Sequence, residues 1–162
     1  METSGGFTSF QLLTEEQILI LPSLGVTEAL EIGEIAKSLG VGRNLPIAIE
    51  VRIGDWIIYH VSLPGSTPEN DWWISRKART VMLKHHTTMF ERVSAKERGI
   101  DWHKENNLSD ETHTIHGGGL PLITEKEGFV GVLLISGLPQ VDDHLLGIEV
   151  LTEFLARKGE QL

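Results

Sequence analysis

The run Phe129-Val130-Gly131-Val132-Leu133-Leu134-Ile135 constrains this chain more than any other stretch. It is almost unbroken apolar sequence with β-branched residues, bounded by Gly128 and by Ser136-Gly137, the pattern of a strand buried on both faces. Such a strand belongs in the middle of a sheet. Leu120 to Thr124 precedes it across Glu125-Lys126-Glu127-Gly128, a connection of hairpin length, so the two are expected to pair antiparallel. Directly after Gly137 the chain turns into a helix. Asp142 and Asp143 stand in its first turn, Gly147, Ile148, Leu151, Phe154 and Leu155 form its apolar stripe, and Arg157, Lys158 and Gly159 mark its end.

A second hairpin lies upstream. Pro46 to Ile53 alternates, Gly54-Asp55 is a two-residue turn, and Trp56 to Leu63 returns. A two-residue turn predicts that Trp56, Ile58 and His60 share the face of Ile53, Val51 and Ile49, which makes His60 a hydrogen-bonded residue at the edge of the core. Before it, Thr14-Glu15-Glu16-Gln17 reads as a capping box for a single helical turn that Pro22 cuts short, followed by a short extended piece. Ser23 to Leu39 reads as a packing helix on the stripe Ala29, Ile32, Ala36 and Leu39.

Between the hairpins, Thr67 and Pro68 signal a helix start and predict a helix to about His85, its stripe being Ile74, Ala78, Val81, Met82 and His85. Arg76, Lys77 and Arg79 gather cations on it, either as a solvated face or as a clamp for a carboxylate or phosphate. Thr88 opens a further helix ending near Gly99, and Asp101 to Thr114 reads as polar surface turns anchored by Trp102. Hairpins separated by helices argue for an α+β domain with an antiparallel sheet.

At 162 residues and 40% hydrophobic the chain suits one domain, 1–162, with residues 1–13 expected to be loosely ordered. Zero cysteines exclude disulfides, thiolate metal sites and a Cys nucleophile. No basic segment leads into an apolar core and no apolar run approaches the roughly 20 residues that span a bilayer, so the expectation is a cytoplasmic protein with no membrane contact. A formal charge of −9 disfavours nucleic acid as a partner.

The order Gly118-Gly119-Leu120-Pro121, Gly128, Gly131, Ile135-Ser136-Gly137 and an aspartate heading the last helix resembles the GlcG/HbpS-like family, the haem-degrading domain family, and Lys77-Ala78-Arg79-Thr80 resembles its central-helix motif. Leu63-Pro64-Gly65, Asn70-Asp71-Trp72-Trp73-Ile74, His116-Gly117-Gly118 and Ser136-Gly137-Leu138-Pro139-Gln140 are similar to one branch of that family. The resemblance runs from about Glu15 to Leu155. It implies a profilin-like domain, an antiparallel sheet of about five strands flanked by helices, that assembles into homo-oligomers. It also makes haem the candidate cofactor.

The residues themselves offer a small-ligand site at the two ends of the apolar strand. His116 is followed by Gly117, Gly118 and Gly119, which let backbone approach a ligand closely. Ser136, Gly137, Asp143 and His144 form a strand-to-helix junction, where the carboxylates disfavour an anion and favour a metal or a cationic or neutral ligand. Haem requires a flat apolar pocket, an axial ligand and cations for its propionates, for which His116 or His85, the tryptophans and Arg76 or Arg79 are the residues of the right type. Ser136 with His144 and Asp142 or Asp143 has the composition of a triad but not its demonstrated geometry. His113 and His116 have metal-ligand spacing only on a helix, which the glycines argue against. The alternative to a ligand site is an oligomeric scaffold or adaptor displaying Trp72 and Trp73 to a protein partner.

Overall fold

Among the described residues four strands form one antiparallel sheet, in the spatial order Trp56–Ser62, Ala48–Ile53, Gly128–Ser136, Gly119–Thr124. The computed structural model describes residues 4–160, and the part of the N-terminal segment at residues 1–3 lies outside the described residues. The elements are α1 (Ser9–Ile18), α2 (Val26–Gly42), β1 (Ala48–Ile53), β2 (Trp56–Ser62), α3 (Pro68–Lys84), α4 (Thr88–Glu97), α5 (Trp102–Asn106), β3 (Gly119–Thr124), β4 (Gly128–Ser136) and α6 (Gln140–Glu160). The apolar run is β4, hydrogen-bonded to β1 on one side and β3 on the other.

Both faces of the sheet are covered, which is why β4 reads as continuous apolar sequence. On one face Ile49, Val51, Leu133 and Ile135 pack with Ile32 and Ala36 of α2 and with Val150 and Phe154 of α6. On the other, Ala48, Val132 and Leu134 meet Ile74, Ala78 and Val81 of α3. A smaller cluster of Leu12, Met89 and Val93 joins α1 to α4.

The sheet has four strands rather than about five. The extended piece after α1 contributes a single parallel bridge, Leu21 to Thr124 at the outer edge of β3. Leu21 donates to Ile123 O and accepts from Glu125 N, at 2.8 and 3.1 Å. Pro22 has no N–H to give, so pairing stops there.

Two local expectations shift. The capping box is Thr8 with Gln11, and α1 spans ten residues rather than one turn, so residues 9–13 are helical. Thr14 instead donates to Phe10 O within the helix at 2.9 Å. In the first hairpin a bulge between Val51 and Arg52 places Tyr59 opposite Val51 and His60 opposite Glu50. His60 therefore stands on the opposite face from Ile49 and Val51. One inserted residue reverses every later side chain of a strand. Its Nδ1 lies 2.9 Å from Glu50 Oε1, so it is hydrogen-bonded, but in a polar cluster. Among the described residues no helix is long and apolar enough to cross a membrane.

Candidate functional site

A cleft of about 480 Å³ opens where α3, the segment before β3, the end of β4 and the start of α6 meet. Trp73 and Lys77 of α3, His116, Ser136, and Gln140 and Asp143 of α6 all face it. The volume falls within the roughly 300–1,000 Å³ typical of small-molecule sites.

The chain reaches this geometry through two glycines. Gly118 has φ 122°, and a Cβ there would lie 2.4 Å from Ile135 O and 2.7 Å from Lys77 Nζ. Gly137 has φ 143°, and a Cβ there would lie 2.4 Å from Pro46 O. Only glycine combines that backbone with that proximity.

Asp143 serves as the junction's own anion. Its carboxylate accepts from Leu138 N at 3.0 Å and Gly137 N at 3.3 Å, satisfying N–H groups ahead of α6. It also accepts from Lys77 Nζ at 3.2 Å, while Lys77 donates to Ile135 O at 2.8 Å. Both side chains are buried, at 3% and 2% exposure. Burial pushes the Asp143 carboxyl up to about 6 against the opposing pull of Lys77 and the two N–H groups. Burial likewise lowers the Lys77 pKa, with the nearby Arg76 charge adding to the effect and Asp143 opposing it.

His116 is half-buried, and burial together with the charges of Arg92, Lys77 and Arg76 lowers its pKa, Asp110 acting the other way. Its ring lies 4.7 Å from that of Trp73, between centres. The backbone N–H of His116 donates to Thr114 Oγ1, and its ring nitrogens have no protein partner among the described residues.

The remaining residues singled out by sequence serve the frame. Gly117 N donates to Gln140 Oε1 at 3.1 Å, and Gly119 N donates to Thr88 Oγ1 at the same distance. His144 is fully buried, its Nε2 2.9 Å from Glu15 Oε1 and its ring edge-on to Phe7, so it ties α6 to α1 instead of facing Ser136. The triad composition therefore has no triad geometry. Arg76 is 1% exposed, with its guanidinium carbon 4.2 Å from the Trp72 ring centre and 4.1 Å from that of Trp73. Its fork closes on Asp110, at 2.7 Å to the backbone oxygen and 2.6 Å to the carboxylate. The clamp thus holds the protein's own carboxylate. Arg79 is exposed and donates to Thr112 O at 3.3 Å. His85 caps α3 in a left-handed conformation and stacks on Phe129 at 4.0 Å, away from the cleft. Among the described residues no three metal-ligating side chains gather.

The model of the family described as haem degrading protein HbpS-like matches residues 24–152. The chain belongs to this HbpS-like family. A UPF0303 protein of Streptomyces avermitilis is 35% identical over 147 residues, covering 91% of this chain and 90% of that protein. The crystal structure of the Ybr137w protein superposes with a TM-score of 0.85 at 23% identity, covering 94% of this chain and 90% of that one. A PduOC–haem complex superposes with a TM-score of 0.63 at 16% identity, over 79% of this chain and 94% of that one. These two solved structures share the α+β fold of this chain.

Lys77 also lines the cleft, although the sequence placed it only in a cationic cluster with Arg76 and Arg79; Asn70 and Gln140 line it too and were not singled out. Positions 74, 77, 78 and 81 lie on one helical face, so the apolar stripe of α3 already carried a lysine among Ile74, Ala78 and Val81. A cation inside an apolar stripe is the signal of a buried charge with a partner.

Proposed function

We propose that this HbpS-like domain binds a small ligand in the cleft between Trp73 and His116 on one side and Lys77, Ser136 and Asp143 on the other. The convergence of these side chains on one hollow carries the reading. The cleft joins an aromatic wall to a few polar groups, the usual composition of a small-molecule site. Its carboxylates, Glu69 and Asp143, favour a neutral ligand over an anion.

Haem is the ligand to which the PduOC–haem neighbour points. The residues fit it at one end. His116 offers the neutral imidazole that a haem iron takes as axial ligand, beside an indole wall. At the propionate end they do not, because Arg76 is committed to Asp110 and Arg79 to Thr112 O. Titration with hemin tests the reading: a saturable Soret shift with quenched tryptophan fluorescence, weakened about tenfold or more in His116→Ala, is expected. A response linear in hemin and unchanged by the substitution removes haem from the reading.

A second reading, an oligomeric scaffold or adaptor for a protein partner, draws on β2. Trp56 and Ile57 are 61% and 50% exposed on a strand with no outer neighbour among the described residues. Exposed apolar residues on an open edge favour strand addition or self-association. A homo-oligomer is compatible with both readings. A reducing cytoplasm suits a chain without cysteine.

A further inference from the structure

Lys77 has the surroundings of a reactive amine. An ammonium carries three protons, and only two acceptors, Ile135 O and Asp143 Oδ2, meet it. It lines the cleft even though it is almost wholly buried, and Gly118 stands over its Nζ with no side chain to cover it. Burial displaces both members of the pair in the same sense, toward amine and carboxylic acid. A buried lysine with a proton-accepting neighbour is the arrangement that makes an amine nucleophilic near neutral pH.

We propose that Lys77 condenses with a small, uncharged hydroxyaldehyde or hydroxyketone in this cleft, forming an imine at Nζ while Asp143 moves the protons. The proposal rests on the reading that the cleft takes a small ligand, and it names the ligand's class. Asn70 and Gln140 commit their amide oxygens to Thr67 N and Gly117 N, which leaves their NH₂ groups as donors toward hydroxyls. Ser136 Oγ has no hydrogen-bond partner among the described residues, and Glu69 disfavours an anionic substrate.

The steps balance within the pair. The Nζ lone pair attacks the carbonyl carbon, a C–N bond forms, and the carbonyl oxygen takes the Asp143 proton. The new ammonium returns one proton to the Asp143 carboxylate, giving a neutral carbinolamine. Asp143 then protonates the hydroxyl, which leaves as water as the nitrogen lone pair closes the C=N bond. The protonated imine stays paired with the Asp143 carboxylate. Amine and carbonyl have become imine and water, with no oxidant or reductant consumed.

Reductive trapping tests this. The full chain is incubated at pH 7 with glycolaldehyde and sodium cyanoborohydride, and peptide mass spectrometry follows each lysine, with exposed Lys126 as the internal standard. Lys77 is expected to gain the hydroxyethyl group about tenfold faster than Lys126, because burial favours its free amine and Asp143 stands beside it to move protons. Asp143→Asn is expected to slow Lys77 alone. Lys77 labelled no faster than Lys126 overturns the proposal. If hemin still saturates in that case, the ligand-binding reading stands without the imine, and if hemin responds linearly haem falls together with the imine. Rapid Lys77 labelling with a linear hemin response keeps the imine and removes haem. The wild-type peptide map decides the matter even if Asp143→Asn does not fold.

Discussion

Asp143 concentrates the residue-level chemistry, since one carboxylate caps the start of α6, pairs with Lys77 and borders the cleft. Its folded pKa of about 6 lies above that of an unfolded aspartate, so between about 4 and 6 the folded protein holds a proton that the unfolded chain has released. The associated stability is complete below the unfolded pKa and is lost as pH rises to the folded one. Asp143→Asn cannot ionise. Wild type should therefore lose stability relative to Asp143→Asn as pH rises from about 4 to 6, by roughly 3 kcal/mol at most. Urea unfolding at several pH values measures it, and a pH-independent difference would place the proton elsewhere. His116, Ser136 and Asp143 were legible in the sequence as residues at the ends of one strand. Lys77 was not, because its neighbours Arg76 and Arg79 made a cationic face the natural reading, and whether a lysine dips beneath a glycine is decided by backbone from another strand.

Among the elements, α1 is held by charge more than by packing. Leu12 is its only buried residue. Ser9 meets Glu97, Glu16 meets His86 at 2.9 Å, and Glu15 meets His144 at the same distance. The Glu16 hydrogen bond raises the His86 pKa, so the support is fully present below the ordinary histidine value and is lost as pH rises through the raised one. Amide exchange in α1, corrected for its intrinsic rate, should accelerate in wild type as pH rises through the raised His86 pKa and lose that pH dependence in His86→Gln. Equal pH dependence in the two proteins would show that α1 is anchored by other contacts. The length of α1 was hidden for the same reason: a helix with one core residue has no periodic stripe to read. The stronger stripes of α2, α3 and α6 announced those helices, whereas a single bulge in the first hairpin put His60 on the face that turn length had not predicted.

For the whole molecule, the open edge of β2 is where self-association is expected. Static light scattering should find the 18.0 kDa chain above monomer mass, and Trp56→Ser with Ile57→Ser should shift it toward monomer. Each side chain withdrawn from water contributes about 1–3 kcal/mol to such a contact. A monomeric wild type ends the expectation. By itself the sequence determined the class of fold, because apolar period and turn chemistry are local: a strand buried on both faces must be central, and helices must cover it. The tertiary structure alone decided which histidine meets the cleft, which arginine is locked on Asp110, and that a lysine sits against Asp143. Those outcomes depend on burial and distance between segments far apart in the chain, and neither is written in local pattern.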